Sequence, residues 1–234
     1  MVGKKDATLQ IKGATHLVDS VSPEQMNEWT QECLGRFPLG KRFNVLLCDI
    51  PWRHRSGDYT KSRGRQGMCT YPTMCLADVK ALPVPQILDD SAAVLMWTTG
   101  SMLCDSMKVI ESWGLTYVTM FLVWQKTYAN GDPAVGTGSW TRPSTEFILL
   151  ARRGTGLTKL RTSRSVRQVV RAPLLGHSHK PLIFKEIIKE FFRTDRRIEL
   201  FARETTPGWS SWGLEVNTEE GDHFFHLDQD HPVV

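Results

Sequence analysis

The segment Phe43-Asn44-Val45-Leu46-Leu47-Cys48-Asp49-Ile50-Pro51-Trp52 decides how the chain folds. Its first six residues form a short apolar run, the mark of a strand buried on both faces of a parallel sheet. Asp49 to Trp52 follow at the carboxyl end of that strand, and in doubly wound α/β sheets ligands sit just beyond those ends. An acid, a backbone carbonyl beside a rigid proline and an aromatic plane emerge there together. That set suits a planar base with an exocyclic amine: the carboxylate or a carbonyl accepts from the amine, and the indole offers a stacking face. The same four residues also fit a plain strand-to-turn junction with Trp52 packed into the core.

Outward from this segment, apolar strands alternate with helices. Ser22-Pro23-Glu24-Gln25 reads as a helix start with a serine N-cap and a proline in the first turn. Leu76 to Leu82 reads as a short helix stopped by Pro83, Ala92 to Trp97 as a second buried strand, and 101–113 as a helix closed by Gly114. Tyr117 to Trp124 and Glu146 to Ala151 read as strands on either side of a Gly/Pro/Asn-rich loop, and Arg167 to Val170 as a strand near a sheet edge. Lys180 to Phe192 reads as an amphipathic helix with Leu182, Ile183, Phe184, Ile187, Ile188 and Phe191 inward, ahead of a last strand, Ile198 to Ala202. The expected fold is α/β: a doubly wound, mostly parallel sheet with helices on both faces.

With 234 residues, 41% hydrophobic and 23% charged, the chain suits one α/β core. No apolar run reaches the length of a membrane span, and the start Met-Val-Gly-Lys-Lys-Asp is not a signal peptide, so an intracellular protein without membrane contact is expected. Five cysteines without a Cys-x-x-Cys pair read as reduced thiols, and His223, His226 and His231 in the tail fit no ligand spacing, so no metal is expected. The net charge of +4 is mild, but its distribution is not. Arg53, His54, Arg55, Lys61, Arg63 and Arg65 crowd the loop after Trp52, and a second group runs from Arg152 to Arg171. Two basic groups beside one pocket would attract the phosphates of a nucleic acid. A dinucleotide oxidoreductase is excluded by the want of a Gly-x-Gly-x-x-Gly turn.

From Phe43 onward the chain resembles the MT-A70 family of N6-adenine methyltransferases, and it is more similar to phage, bacterial and ciliate members than to the animal messenger-RNA writer. The resemblance rests on pieces in family order: Asp49-Ile50-Pro51-Trp52, Tyr71-Pro72-Thr73-Met74, Leu95-Met96-Trp97-Thr98-Thr99, Val123-Trp124-Gln125-Lys126, Trp140-Thr141-Arg142 with Thr145-Glu146, His177-Ser178-His179-Lys180-Pro181, Glu199-Leu200-Phe201-Ala202-Arg203 and Trp212-Gly213. It implies a leader and helix over 1–36, a Rossmann-like methyltransferase domain with permuted motif order over 37–216, and an acidic, histidine-containing tail over 217–234. It further implies transfer of a methyl group from S-adenosyl-L-methionine to the N6 amine of adenine in DNA or RNA. Asp49, Ile50, Pro51 and Trp52 would form the catalytic tetrapeptide. Asp49, His179, Lys180, Glu199, Leu200, Arg203 and Glu215 would contact the cofactor, with Lys180 on its carboxylate. Arg53, Arg55, Lys61, Arg63, Arg65, Arg142, Arg164 and Arg167 would face the nucleic acid. The location implied is the nucleus in a eukaryote or the cytoplasm in a bacterium or phage, and the partner a related subunit in a homo- or heterodimer.

The chain departs from the family pattern at two places. Ile50 stands where the family has proline, which keeps the carbonyl but loses rigidity. Gly213-Leu214-Glu215 stands where the family has Gly-Asn followed by Glu or Gln, and leucine cannot bond a ribose hydroxyl as that asparagine does. Losing one such bond costs about 0.5–1.5 kcal/mol. These departures also fit a second reading, a non-catalytic, nucleic-acid-binding subunit of a heteromeric methyltransferase.

Overall fold

The computed structural model describes residues 35–52, 73–138, 140–176, 179–214 and 216, together with the backbone of 225–226. The expected N-terminal helix, the basic loop with Arg53, Arg55, Lys61, Arg63 and Arg65, Glu215, and most of the tail lie outside the described residues.

Among the described residues eight strands make one sheet: β1 (Phe43–Cys48), β2 (Leu88–Thr98), β3 (Thr116–Thr127), β4 (Thr145–Arg153), β5 (Val169–Pro173), β6 (Arg197–Leu200), β7 (Ser210–Trp212) and β8 (Phe225–His226). Their spatial order is β5-β3-β4-β2-β1-β6-β7-β8. Four pairings are parallel (β1 with β2 and with β6, β3 with β5, β6 with β7), and β4 and β8 run against their neighbours. Six strands therefore point the same way, and the chain order reverses direction across β1, between β2 and β6. That is where open α/β sheets form a crevice.

The two sheet faces are read directly from the pleat. In β1 and β2, Leu46, Cys48, Val94 and Met96 point into one core cluster, while Val45, Leu47, Ala93, Leu95 and Trp97 point into the other. Helices α1 (Leu76–Ala81) and α2 (Leu103–Ser112) cover the first face through Val79, Val109 and Ile110. The one-turn α3 (Leu157–Leu160) and α4 (Ile183–Phe191) cover the second through Leu157, Phe184 and Ile188. Two of the buried tryptophans pair their polar tips: Trp113 Nε1 donates to the Val79 carbonyl at 3.1 Å, and Trp124 Nε1 to that of Ala172 at 2.8 Å. Among the described residues no helix is long and apolar enough to cross a membrane.

Several boundaries and two orientations differ from expectation: β2, β3 and β4 run longer at both ends, β2 starting at Leu88 instead of Ala92. The fifth strand runs Val169–Pro173 instead of Arg167 to Val170; it is the sheet edge, where a proline removes no ladder bond. β6 stops at Leu200 because Phe201 takes φ +62°, the left-handed region that a bulky residue rarely enters. α4 begins at Ile183, after Lys180. In that helix Leu182 and Ile183 face outward, 50% and 46% exposed, while Lys185 turns inward at 7%. The stripe Phe184, Ile187, Ile188, Phe191 is enough to dock the helix, and Lys185 is drawn in by a buried acid described below.

The turn after β7 is held by close backbone approach. Ala202 N donates to the Trp212 carbonyl at 3.0 Å, and a Cβ on Gly213 would lie 2.1 Å from the Ala202 carbonyl oxygen. Gly213→Ala therefore forces the β6 and β7 ends apart. The expected cost is about 1–3 kcal/mol, as for an overpacked core. At about 2–4 °C per kcal/mol for a chain of this size, a melt followed by circular dichroism should show a clear fall in Tm.

Candidate active site

At the carboxyl ends of the parallel strands, charged side chains from three directions meet. Asp49 leaves β1, Glu146 opens β4, and Lys180 arrives from the segment ahead of α4. Lys180 Nζ donates to Asp49 Oδ2 at 2.7 Å and lies 3.3 Å from Glu146 Oε2. Glu146 Oε1 in turn accepts from Lys126 Nζ at 2.5 Å, near the end of β3. The floor beneath is aromatic: Lys180 Nζ stands 5.5 Å from the Trp97 ring centroid and Lys126 Nζ 5.0 Å from that of Trp124. Those two rings and Phe184 contact one another edge-on.

The network is largely withdrawn from water, with the Lys180 side chain 13% exposed, that of Glu146 14% and that of Asp49 29%. Burial alone would push the Glu146 carboxyl up and the Lys180 ammonium down. The opposite charges win in both cases: Lys180 and Lys126 hold Glu146 below its usual range, and Asp49 and Glu146 hold Lys180 above its own. Glu199, one strand over on β6, goes the other way. Burial raises its carboxyl, Asp49 and Glu204 add to the rise, and the lone lysine beside it, Lys185 at 2.5 Å, does not cancel them. Burial, with Asp49 and Glu199 nearby, also pushes the Cys48 thiol far up, so it is a core residue and no nucleophile.

The tetrapeptide makes a tight turn. The Ile50 carbonyl accepts from Trp52 N at 2.9 Å and the Pro51 carbonyl from Met74 N at 2.8 Å. The Ile50 side chain, 3% exposed, is core, so this residue offers a ligand only the second lone pair of its carbonyl. Trp52 is half-buried against the same cluster. The Leu200 side chain is fully buried, which leaves only its backbone for a ligand.

His179 lies 3.7 Å from Glu204, and Arg203 is half-buried just past β6. Arg142, Arg164 and Arg167 are exposed and stand outside the ion-pair cluster, the first in the β3–β4 connection and the others ahead of the edge strand β5. Lys126 and Glu146 are the members that the sequence reading left without a role, although both fall in quoted motifs. Their position at facing strand ends is the signal that could have found them.

The sign of the pH dependence follows from Glu146. Its folded pKa lies below 4.5, so it contributes stability that is present above the unfolded value and lost as pH falls through the folded one. The stability gap between wild type and Glu146→Gln should be constant near neutrality and close below about pH 4.5. Urea titrations at several pH values measure it; a gap that widens in acid contradicts the arrangement.

Comparison with known proteins agrees with this geometry. The MT-A70 family matches residues 43–215. The chain is 34% identical over 190 residues to the Type II methyltransferase M.MunI of Mycoplasma sp, covering 75% of this chain and 78% of that protein. It is 30% identical over 182 residues to the N6-methyladenosine RNA methyltransferase MTA1 of Cryphonectria parasitica, covering 74% of this chain and 52% of that one. To the mouse N(6)-adenine-specific methyltransferase METTL4 it is 26% identical over 207 residues, covering 81% of this chain and 41% of that one. It thus spans most of the first relative and about half or less of the other two. The chain belongs to the MT-A70 family.

Proposed function

We propose that the chain transfers the methyl group of S-adenosylmethionine to the N6 amine of an adenine in DNA or RNA. The observation that carries this reading is the Asp49–Lys180 pair, 2.7 Å apart at the crevice of the sheet. The methionyl end of the cofactor is a zwitterion, and a carboxylate beside an ammonium complements both of its charges. The donor set therefore fits the cofactor: Lys180 for its carboxylate, Asp49 for its ammonium or for the adenine amine, and Glu199, Arg203, the Leu200 backbone and Glu215 on the nucleoside side, with His179 at the rim. Glu199, a buried carboxylate at the end of β6 with Lys185 Nζ 2.5 Å from its Oε2, supports a ligand hydroxyl there. When bound, the cofactor supplies a methyl group already activated by positive sulfur.

No strong base is then needed, and the chain's work is alignment. Asp49 and the free lone pair of the Ile50 carbonyl orient the amine, and Trp52 offers its ring to the base. Arg53, Arg55, Lys61, Arg63, Arg65, Arg142, Arg164 and Arg167 supply positive charge for the backbone of the strand, whose contacts position it without reading sequence. A dimer with a related subunit is part of this reading. Exposed Leu174, Leu175, Leu182 and Ile183, around the β5–α4 connection, support it.

Ile50 and Leu214 favour the second reading, a non-catalytic subunit. Tritium transfer from labelled cofactor to single- and double-stranded DNA and RNA oligonucleotides separates the two. The wild-type chain should label adenine N6, and Asp49→Ala should lose activity by about 10²-fold or more, the scale for removing one transition-state hydrogen bond. A folded wild type that labels none of the four substrates, alone or with a related subunit, supports the second reading. Undiminished turnover by Asp49→Ala sinks the first as stated.

A further inference from the structure

Lys185 sits in the first turn of α4, next to Phe184 and one turn before Ile188, both members of the second core cluster, and is itself 7% exposed. A lysine there must be matched to be tolerated. Its Nζ lies 2.5 Å from Glu199 Oε2 and donates to Thr206 Oγ1 at 2.8 Å. Glu199 is 8% exposed and Thr206 5%. The ammonium thus ties helix α4 both to β6 and to the loop that follows it.

Stability alone is a poor reason for this arrangement. A buried ion pair replaced by apolar residues of similar volume is often neutral or more stable, and Phe184 and Ile188 show that this face of α4 accepts apolar side chains. The pair lies instead beside the crevice, one strand from Asp49. Among the described residues, Asp49 at the end of β1 and Glu204 beyond β6 are acidic and make the ionisation of Glu199 harder. Lys180, past Asp49, is already shared between Asp49 and Glu146. Lys185 is a cation in direct contact with Glu199.

We infer that Lys185 is a positioning residue for cofactor binding: its ammonium partly offsets the burial of Glu199 and fixes the carboxylate through Oε2, so that the group can accept from the nucleoside part of S-adenosylmethionine. A protonated carboxyl would give up acceptor capacity to its own O–H. The inference rests on the reading of Glu199 proposed above.

Calorimetric titration with S-adenosylhomocysteine between pH 6 and 9 tests it on wild type and Lys185→Met, with KM and kcat measured alongside. In wild type the affinity should vary less with pH than in the variant. In Lys185→Met, Glu199 faces burial and two acids without that counter-charge, so its pKa rises further and the protonated form gains ground. Affinity should then fall about ten- to a hundredfold near pH 7, the usual loss for a charge-assisted bond, and recover as pH rises and Glu199 ionises. KM for the cofactor should rise more than kcat falls, and Lys185→Arg should restore part of the affinity.

If Lys185→Met does not fold, Lys185→Met/Glu199→Gln removes the uncompensated charge; it should fold and bind weakly at every pH. A single variant with wild-type affinity and no pH slope, or a double variant with wild-type affinity, overturns the inference. A folded wild type that binds no S-adenosylhomocysteine or S-adenosylmethionine overturns the cofactor reading itself, which is a separate outcome.

Discussion

One ammonium group joins two strands that do not touch. Lys180 Nζ reaches Asp49 on β1 and Glu146 on β4, and β2 lies between those strands in the sheet. It crosses the end of β2 above Trp97. The crevice at the carboxyl ends depends on this bridge, because two carboxylates facing each other unpaired in a partly dry site would each favour protonation. The bridge also binds sheet to helix, since Lys180 stands just before α4. An amino-acid zwitterion can enter such a site by exchanging partners with Asp49 and Lys180, so that both charges stay matched throughout.

Around that bridge the site has three carboxylates, Asp49, Glu146 and Glu199, and three lysines, Lys126, Lys180 and Lys185. They are unevenly paired. Glu146 lies between two lysines and stays acidic; Glu199 has one and is pushed toward neutrality. The difference comes from placement: β3 and the pre-α4 segment both bring cations to Glu146, whereas Glu199 shares its surroundings with Asp49 and Glu204. A site with one firmly charged end and one finely balanced end suits a ligand that is zwitterionic at one end and neutral at the other.

The architecture was legible wherever burial leaves a pattern. Phe43 to Cys48 reads as a strand because each of its side chains enters one of the two cores or is otherwise buried, and the structure returns that strand with the same ends. Asp49 and Lys180 were found through motifs. Ionic pairings were harder, because periodicity treats a charge near a strand end or on a helix as solvated. Lys126 and Glu146 meet across the β3–β4 hairpin, 20 residues apart, and Lys185 finds Glu199 only after β6 has paired with β1. Leu182 and Ile183 were misread for the complementary reason: the helix docks on a narrower stripe than its hydrophobic content offers. The Ile50 carbonyl is read from sequence as an acceptor for a ligand amine, whereas the bond it makes to Trp52 N depends on a turn that residue types do not specify.

The central claim is that Lys180 receives a ligand carboxylate. Calorimetry on wild type and Lys180→Ala tests it most directly, with S-adenosylmethionine and with 5′-methylthioadenosine, which keeps the nucleoside and lacks the amino-acid end. The account predicts that the variant binds S-adenosylmethionine about ten- to a hundredfold more weakly, the usual loss of a charge-assisted bond, while 5′-methylthioadenosine binds both proteins alike. Equal affinity of both proteins for S-adenosylmethionine, or an equal loss for both ligands, would contradict it.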